Sequence, residues 1–274
     1  MAQADRTRQR GAARLLPGAR ARARLAQVEA ELEATRRALG RARAQITEAS
    51  FDLPEDVERT IERVRREKLS FLRADQLRNL ATLVRDLDAT GVPGAIVEAG
   101  TARGGSGIVL AAAKARERPM KVYDVFGMIP PPSEHDGTDV HERYQAITAG
   151  QAKGLDGEVY YGYRTDLYAE VTESFRRLGF PAEKNNVELV QGLFEDTIHL
   201  DEPVAFAHVD GDWYESTMTC LERIAPRLSV GGRIVVDDYY GWSGCQRAVD
   251  EYFRGRPGFR LLRRRKLHVL READ

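Results

Sequence analysis

From Ala95 onward the chain alternates short apolar runs with helical stretches, an order that builds a parallel sheet with helices packed on its faces. Ala95-Ile96-Val97-Glu98-Ala99 is stopped by Gly100, and residues 106–115 read as the helix that follows. Residues 120–124, 187–190, 204–210 and 233–237 are the next four strands, with Gly231-Gly232 opening the last of them. Residues 216–228 and a stretch through 247–252 are helical, and 259–262 with 266–270 close the chain as a hairpin. Three of the first five strands end in aspartate: Asp124, Asp210 and Asp237. One such acid is an ordinary strand terminator. Three of them beside a glycine loop form a constellation, because the carboxyl ends of strands in an open α/β sheet make the ligand crevice.

Composition narrows the partners. Forty-two Lys and Arg balance 42 Asp and Glu, so no overall field favours nucleic acid. The longest apolar run, 108–113, falls far short of the ~20 residues that cross a bilayer. Two cysteines, Cys220 and Cys245, are too few for a disulfide scaffold. A cytoplasmic α/β protein is expected.

The balance hides an asymmetry. Residues 1–50 hold 11 Arg, no Lys and 5 acids, a net +6 that the remainder offsets. Residues before 25 read as a basic tail without the apolar stretch of a secretory signal. Leu25, Val28, Leu32, Thr35, Leu39, Ala42 and Ile46 then alternate by three and four, a thin seam of about three heptads that predicts a self-associating helix and a homo-oligomer. Residues 51–93 are expected to form a helical cap region, with Ser70 capping a helix that contains Phe71, Leu72, Leu77, Leu80, Leu83 and Leu87. Residues 94–274 form the catalytic domain in this reading, and nothing in 51–93 demands a chemical role.

Glu98-Ala99-Gly100-Thr101-Ala102-Arg103-Gly104-Gly105-Ser106 joins the first strand to its helix. It lacks both the GxGxxG of a dinucleotide fold and the Lys-Ser/Thr of a triphosphate loop. An ExGxxxGG loop suits S-adenosylmethionine: close backbone and a helix start at Gly100, Thr101, Gly104, Gly105 and Ser106 meet the amino-acid end. Glu98 addresses the ammonium group in this reading, and Asp124 the two ribose hydroxyls. Gly192 and Phe194 fall where an adenine edge would be lined, although Phe194 serves equally well as core.

Strand four ends Asp210-Gly211-Asp212-Trp213-Tyr214, and strand five Asp237-Asp238-Tyr239-Tyr240. Adjacent acids at the end of an apolar strand repel one another unless protons or a cation relieve them. Mg²⁺ is the simplest relief, since it takes oxygen ligands and leaves positions for a substrate hydroxyl. Asp210 is the first choice for both ligand and base, with Asp212 turned outward or capping the helix. His208, inside the strand, reads as a packed core histidine.

These blocks resemble the macrocin O-methyltransferase family. The resemblance rests on His208-Val209-Asp210-Gly211-Asp212-Trp213-Tyr214-Glu215-Ser216-Thr217, on Val235-Val236-Asp237-Asp238-Tyr239, and on Gly192-Leu193-Phe194-Glu195-Asp196-Thr197. It covers roughly residues 70–255 and implies a Rossmann-like class I methyltransferase fold with a seven-stranded, mostly parallel sheet. It also implies a metal-dependent transfer of methyl from S-adenosylmethionine to a sugar hydroxyl of a natural product. By position it makes Asp210, Asp237 and Asp238 the metal ligands and Asp210 the base. Val125 departs from the Ser usual after the second-strand acid.

The acceptor side falls to 128–165, a connection with Pro130-Pro131-Pro132, His135, His141 and four tyrosines, expected to fold over the crevice as a lid. His135 is a candidate second base, and Arg263 to Lys266 a solvated edge. Methylation of a phenolic hydroxyl, or a non-catalytic cofactor-binding scaffold, are the alternatives.

Overall fold

Strands β1 (Ala95–Ala99) and β4 (Val204–Val209) are buried at every position, as continuous apolar runs demand when both sheet faces are covered. With β2 (Met120–Asp124), β3 (Val187–Gln191) and β5 (Leu228–Val236) they form a parallel core, to which β6 (Phe259–Arg263) and β7 (Leu267–Arg271) add an antiparallel edge. The order is β3-β2-β1-β4-β5-β7-β6. The structure, a computed structural model, describes Arg24, Leu25, Val28 and residues 53–272. The chain divides into two units, 1–50 and 51–274. Leu25 and Val28 are helical and exposed; the rest of the heptad seam lies outside the described residues. No described helix is long and apolar enough to cross a membrane.

Helices α1 (Glu55–Arg66), α2 (Ala74–Ala89), α3 (Gly105–Ala113) and α5 (Leu167–Arg177) cover one sheet face, burying Leu77, Leu80, Val109 and Phe175 against Ile96, Val122 and Phe206. Helix α1 carries Glu55, Asp56 and Glu58 in its first turn and Arg63, Arg65 and Arg66 in its last, complementing the helix dipole. On the other face α6 (Phe194–Thr197), α7 (Tyr214–Ile224) and α8 (Ser243–Phe253) pack Phe194, Cys220, Leu221 and Val249 against Val97, Ala207 and Ile234.

Some boundaries differ from expectation. Helix α2 begins at Ala74 with Arg73 as its N-cap, while the Ser70 hydroxyl accepts from the Leu72 N–H (3.1 Å) in the turn before it. Ser70 therefore shapes the entry rather than capping the helix. Strand β5 starts at Leu228 and runs through Gly231-Gly232, because a helix that ends at Ile224 leaves room for an earlier start.

Segment 128–165 is a docked layer with its own helix α4 (Thr138–Thr148). Asp136 accepts from the first N–H of α7, at Tyr214 (2.9 Å), and Asp139 from the first N–H of α8, at Ser243 (2.9 Å). Carboxylates placed on free helix N–H groups complement both dipoles. The Trp213 indole N–H adds a bond to the Pro130 carbonyl (2.9 Å).

Candidate active site

Every acid of the constellation lies at the carboxyl edge of the sheet. Gly100 follows β1 at φ +88°, and a Cβ there would collide with the Asp210 carbonyl oxygen, so only glycine lets the two strand ends meet. The Thr101 and Ala102 N–H groups donate to Asp124 Oδ2 (2.8 and 2.9 Å), and the Phe126 N–H to Oδ1 (2.7 Å). Asp124 thus pins the glycine loop to the tip of β2. Burial pushes its carboxyl up, and the three donors offset only part of that.

A cleft of about 250 Å³ lies over this edge. Gly100, Thr101, Ser106, Asp124, Asp210, Asp237 and Asp238 line it. An adjoining recess shares Gly100, Asp124, Asp210 and Asp212 and is closed by Val125, Gly192, Leu193 and Phe194. Phe194 does both things left open by the sequence, lining the recess while packing on the core below.

Three residues of the expected cofactor loop sit elsewhere. Gly104 packs on Val171, and Gly105 donates its N–H to the Leu69 carbonyl (3.0 Å), so neither faces the cleft. These glycines let α3 approach α5 and the turn before α2. Glu98 is fully buried, with one carboxylate oxygen bonded by the Ser106 hydroxyl and the other 3.0 Å from His208 Nδ1. It is enclosed under the sheet edge and lines neither the cleft nor the recess.

His208 joins that carboxylate to the acid cluster, its Nε2 lying 3.5 Å from Asp237 Oδ1. Burial alone would lower its pKa, but Glu98 and Asp237 outweigh burial and raise it to about 10. It is a buried histidine, as its place inside β4 predicts, and the two carboxylates beside it favour its charged form.

One oxygen from each of Asp210, Asp237 and Asp238 lies within 4.8 Å of the others, the one such cluster among the described residues. Burial, then the charges of Asp237, Asp238 and Asp212, drive the Asp210 carboxyl well above the usual range. Burial and Asp237 push Asp238 up to about 6. Burial pulls Asp237 the same way, yet His208 and Lys266 outweigh it and hold Asp237 low. Three carboxylates whose oxygens gather this closely at the floor of a cleft make a donor set suited to a hard divalent cation.

Asp212 turns inward, against expectation. Its backbone adopts φ +55°, its N–H donates to Asp238 Oδ2 (3.2 Å), and its Oδ1 accepts from the Trp242 indole (3.1 Å). The helix it was expected to cap starts after Trp213 with no side-chain cap. His135 is misplaced as a base: it pairs with Glu215 (2.9 Å), packs against Tyr214 and lies outside the cleft.

Residues 20–257 match the family described as Macrocin-O-methyltransferase (TylF). The chain belongs to this family. It is 33% identical over 183 residues to the demethyldecarbamoylnovobiocin O-methyltransferase of Streptomyces niveus, covering 65% of this chain and 64% of that protein. It is 35% identical over 193 residues to the 8-demethyl-8-(2,3-dimethoxy-alpha-L-rhamnosyl)-tetracenomycin-C 4'-O-methyltransferase of Streptomyces olivaceus, covering 67% and 66%. The match thus spans just under two thirds of the length of these two curated relatives. The solved structure of the O-methyltransferase NovP superposes with a TM-score of 0.62 at 28% identity, over 78% of this chain and 88% of that one. The calicheamicin methyltransferase CalS11, at 21% identity and a TM-score of 0.54 over 81% and 95%, shares the fold. The architecture is that of class I methyltransferases.

In this member of the macrocin O-methyltransferase family the cleft has further walls, one from segment 128–165, which was expected over the crevice, and one that the sequence did not disclose. Phe71, Leu72 and Gln76, from the region to which no chemistry was ascribed, line one side. Arg143 of α4, Tyr160, Tyr161, Trp213 and Trp242 line others, and Arg143 lies over the Tyr160 ring at 5.8 Å. Lys266, expected on a solvated edge, reaches the cleft at Asp237. A signal for the wall existed in the clustered aromatics of 144–163; none marked Phe71 or Lys266.

Proposed function

We propose that this chain transfers the methyl group of S-adenosylmethionine to a sugar hydroxyl carried by a natural product. The observation that carries the reading is one cleft holding both the trio Asp210, Asp237 and Asp238 and, beside it, the recess of Gly100, Asp124, Gly192 and Phe194. Of the relatives named above, the Streptomyces olivaceus protein is a 4'-O-methyltransferase of a rhamnosyl-tetracenomycin, which supports the same acceptor class.

In this reading the Thr101–Ala102 turn, fixed by Asp124, holds the cofactor's amino-acid and ribose portions, and Gly192 and Phe194 flank its adenine. Asp210, Asp237 and Asp238 hold a Mg²⁺ ion, which when bound supplies Lewis-acid stabilisation of the acceptor alkoxide. Tyr160, Tyr161 and Trp242 offer ring faces for the apolar side of a sugar. The acceptor oxygen forms a bond to the methyl carbon as the carbon–sulfur bond breaks. The bonding pair stays on sulfur, giving S-adenosylhomocysteine. The hydroxyl proton passes to a carboxylate of the cluster. Asp210, the first choice for ligand and base alike, takes that part in this reading.

Calorimetric titration with S-adenosylmethionine, in Mg²⁺ and in chelator, tests the reading together with turnover on sugar-bearing acceptors. The cofactor is expected to bind in both conditions and turnover to vanish in chelator. Absence of cofactor binding sinks the proposal.

Residues 1–50 are proposed to serve self-association, on the heptad spacing and the exposed, helical Leu25 and Val28. Light scattering is expected to report a smaller oligomer when 1–50 are deleted; an unchanged assembly contradicts that role.

A further inference from the structure

Lys266 stands directly before β7, and the antiparallel register that pairs Val236 with Leu267 sets it beside Asp237. Its ammonium donates to the Asp237 backbone carbonyl (2.8 Å) and to the carboxylate Oδ2. The side chain is 22% exposed and lines the cleft, so it meets the carboxylate from the ligand side, while His208 meets Oδ1 from within. Three carboxylates gathered within 4.8 Å repel one another strongly, and a fixed positive charge on one of them relieves part of that repulsion. The neighbouring basic side chain turns elsewhere, Arg265 pairing with Asp75 of α2. A lysine suits the position because its charge is compact and its four-carbon stem can withdraw.

We propose that Lys266 is the resident cation of the carboxylate cluster, bracing it in the metal-free chain and competing with a divalent ion for Asp237. The inference rests on the reading of Asp210, Asp237 and Asp238 as a divalent-cation site. It assigns Lys266 a positioning role: binding of the ion displaces the ammonium from Oδ2, so the lysine sets how tightly the ion is held.

The test titrates Mn²⁺, followed by the paramagnetic signal of the free ion, into the full chain, Lys266→Met and Lys266→Arg at one pH. Removing a unit positive charge from beside the ion is expected to tighten Mn²⁺ binding about tenfold in Lys266→Met, with Lys266→Arg staying near wild type. In chelator the thermal midpoint of Lys266→Met is expected to fall below wild type, and saturating Mn²⁺ to close the gap. If Lys266→Met folds only in Mn²⁺, it supports the bracing role, and its affinity is read by competition with chelator. Mn²⁺ affinity in Lys266→Met that is weaker than wild type, or within about twofold of it, overturns the inference alone. Absence of Mn²⁺ binding in the wild-type chain overturns it together with the metal reading.

Discussion

Asp210→Asn is expected to reduce methyl transfer about a thousandfold without destabilising the metal-free chain. The carboxylate is one of three donors that converge within 4.8 Å, and loss of one anionic ligand withdraws several kcal/mol of transition-state charge stabilisation. About 4 kcal/mol corresponds to about a thousandfold in rate. Stability should move differently. Asp210 already holds its proton well above the usual carboxylate range, under pressure from burial, Asp237, Asp238 and Asp212. A neutral amide of the same shape therefore replaces a group that has no room for its charge. Turnover at saturating cofactor and urea unfolding in chelator report the two quantities separately. Turnover within about tenfold of wild type would remove Asp210 from the chemistry. An equal loss of folding stability would make its role structural.

His208→Leu should act in the opposite way, through the fold. Glu98 is fully buried, and its carboxylate is held by His208 and the Ser106 hydroxyl; Asp237, 9% exposed, faces His208 from the next strand. Removing one partner of a buried ion pair leaves a charge in a low dielectric, which costs about 3–5 kcal/mol. Glu98→Leu alone should cost a similar amount, for the same reason. The double substitution removes both charges and is expected to cost clearly less than the sum, because neighbours in one network do not add. Chemical denaturation of the four chains completes the cycle. Additivity within about 0.5 kcal/mol would mean that the pair is not coupled.

The parallel core was legible because strand burial is one-dimensional information: five short apolar runs, four of them ending in Gly or Asp, are read without knowing any partner. Asp124, Asp210, Asp237 and Asp238 converge for the same reason, since parallel strands bring their carboxyl ends to one edge. What stayed hidden depends on pairing across sequence distance. Lys266 reaches Asp237 only because β7 runs antiparallel to β5, and a three-arginine neighbourhood gives no hint of that register. Phe71 enters the cleft because the turn before α2 lies against the glycine loop, through Leu69 and Gly105. Glu98 was misread by its place in the loop motif. As the fourth residue of β1 it shares a face with His208 of β4, to which it is paired in register, and the cleft lies beyond them. Asp212 was misjudged because a positive φ at a non-glycine residue leaves no trace in composition.

The tips of β1, β2, β4 and β5 supply the acids and the glycine turn, whereas the opposing wall comes from the turn before α2 and from segment 128–165. That segment is fastened to the body by Asp136 and Asp139 on two helix starts, by the Trp213–Pro130 bond, and by Glu158, which pairs with Arg103 and Lys68; none of these residues belongs to the carboxylate trio. Such a division lets selection or an engineer exchange the selectivity surface as a cassette between fixed anchor points. Descendants of this scaffold can therefore diverge in the molecules they decorate while inheriting unaltered machinery for the transfer.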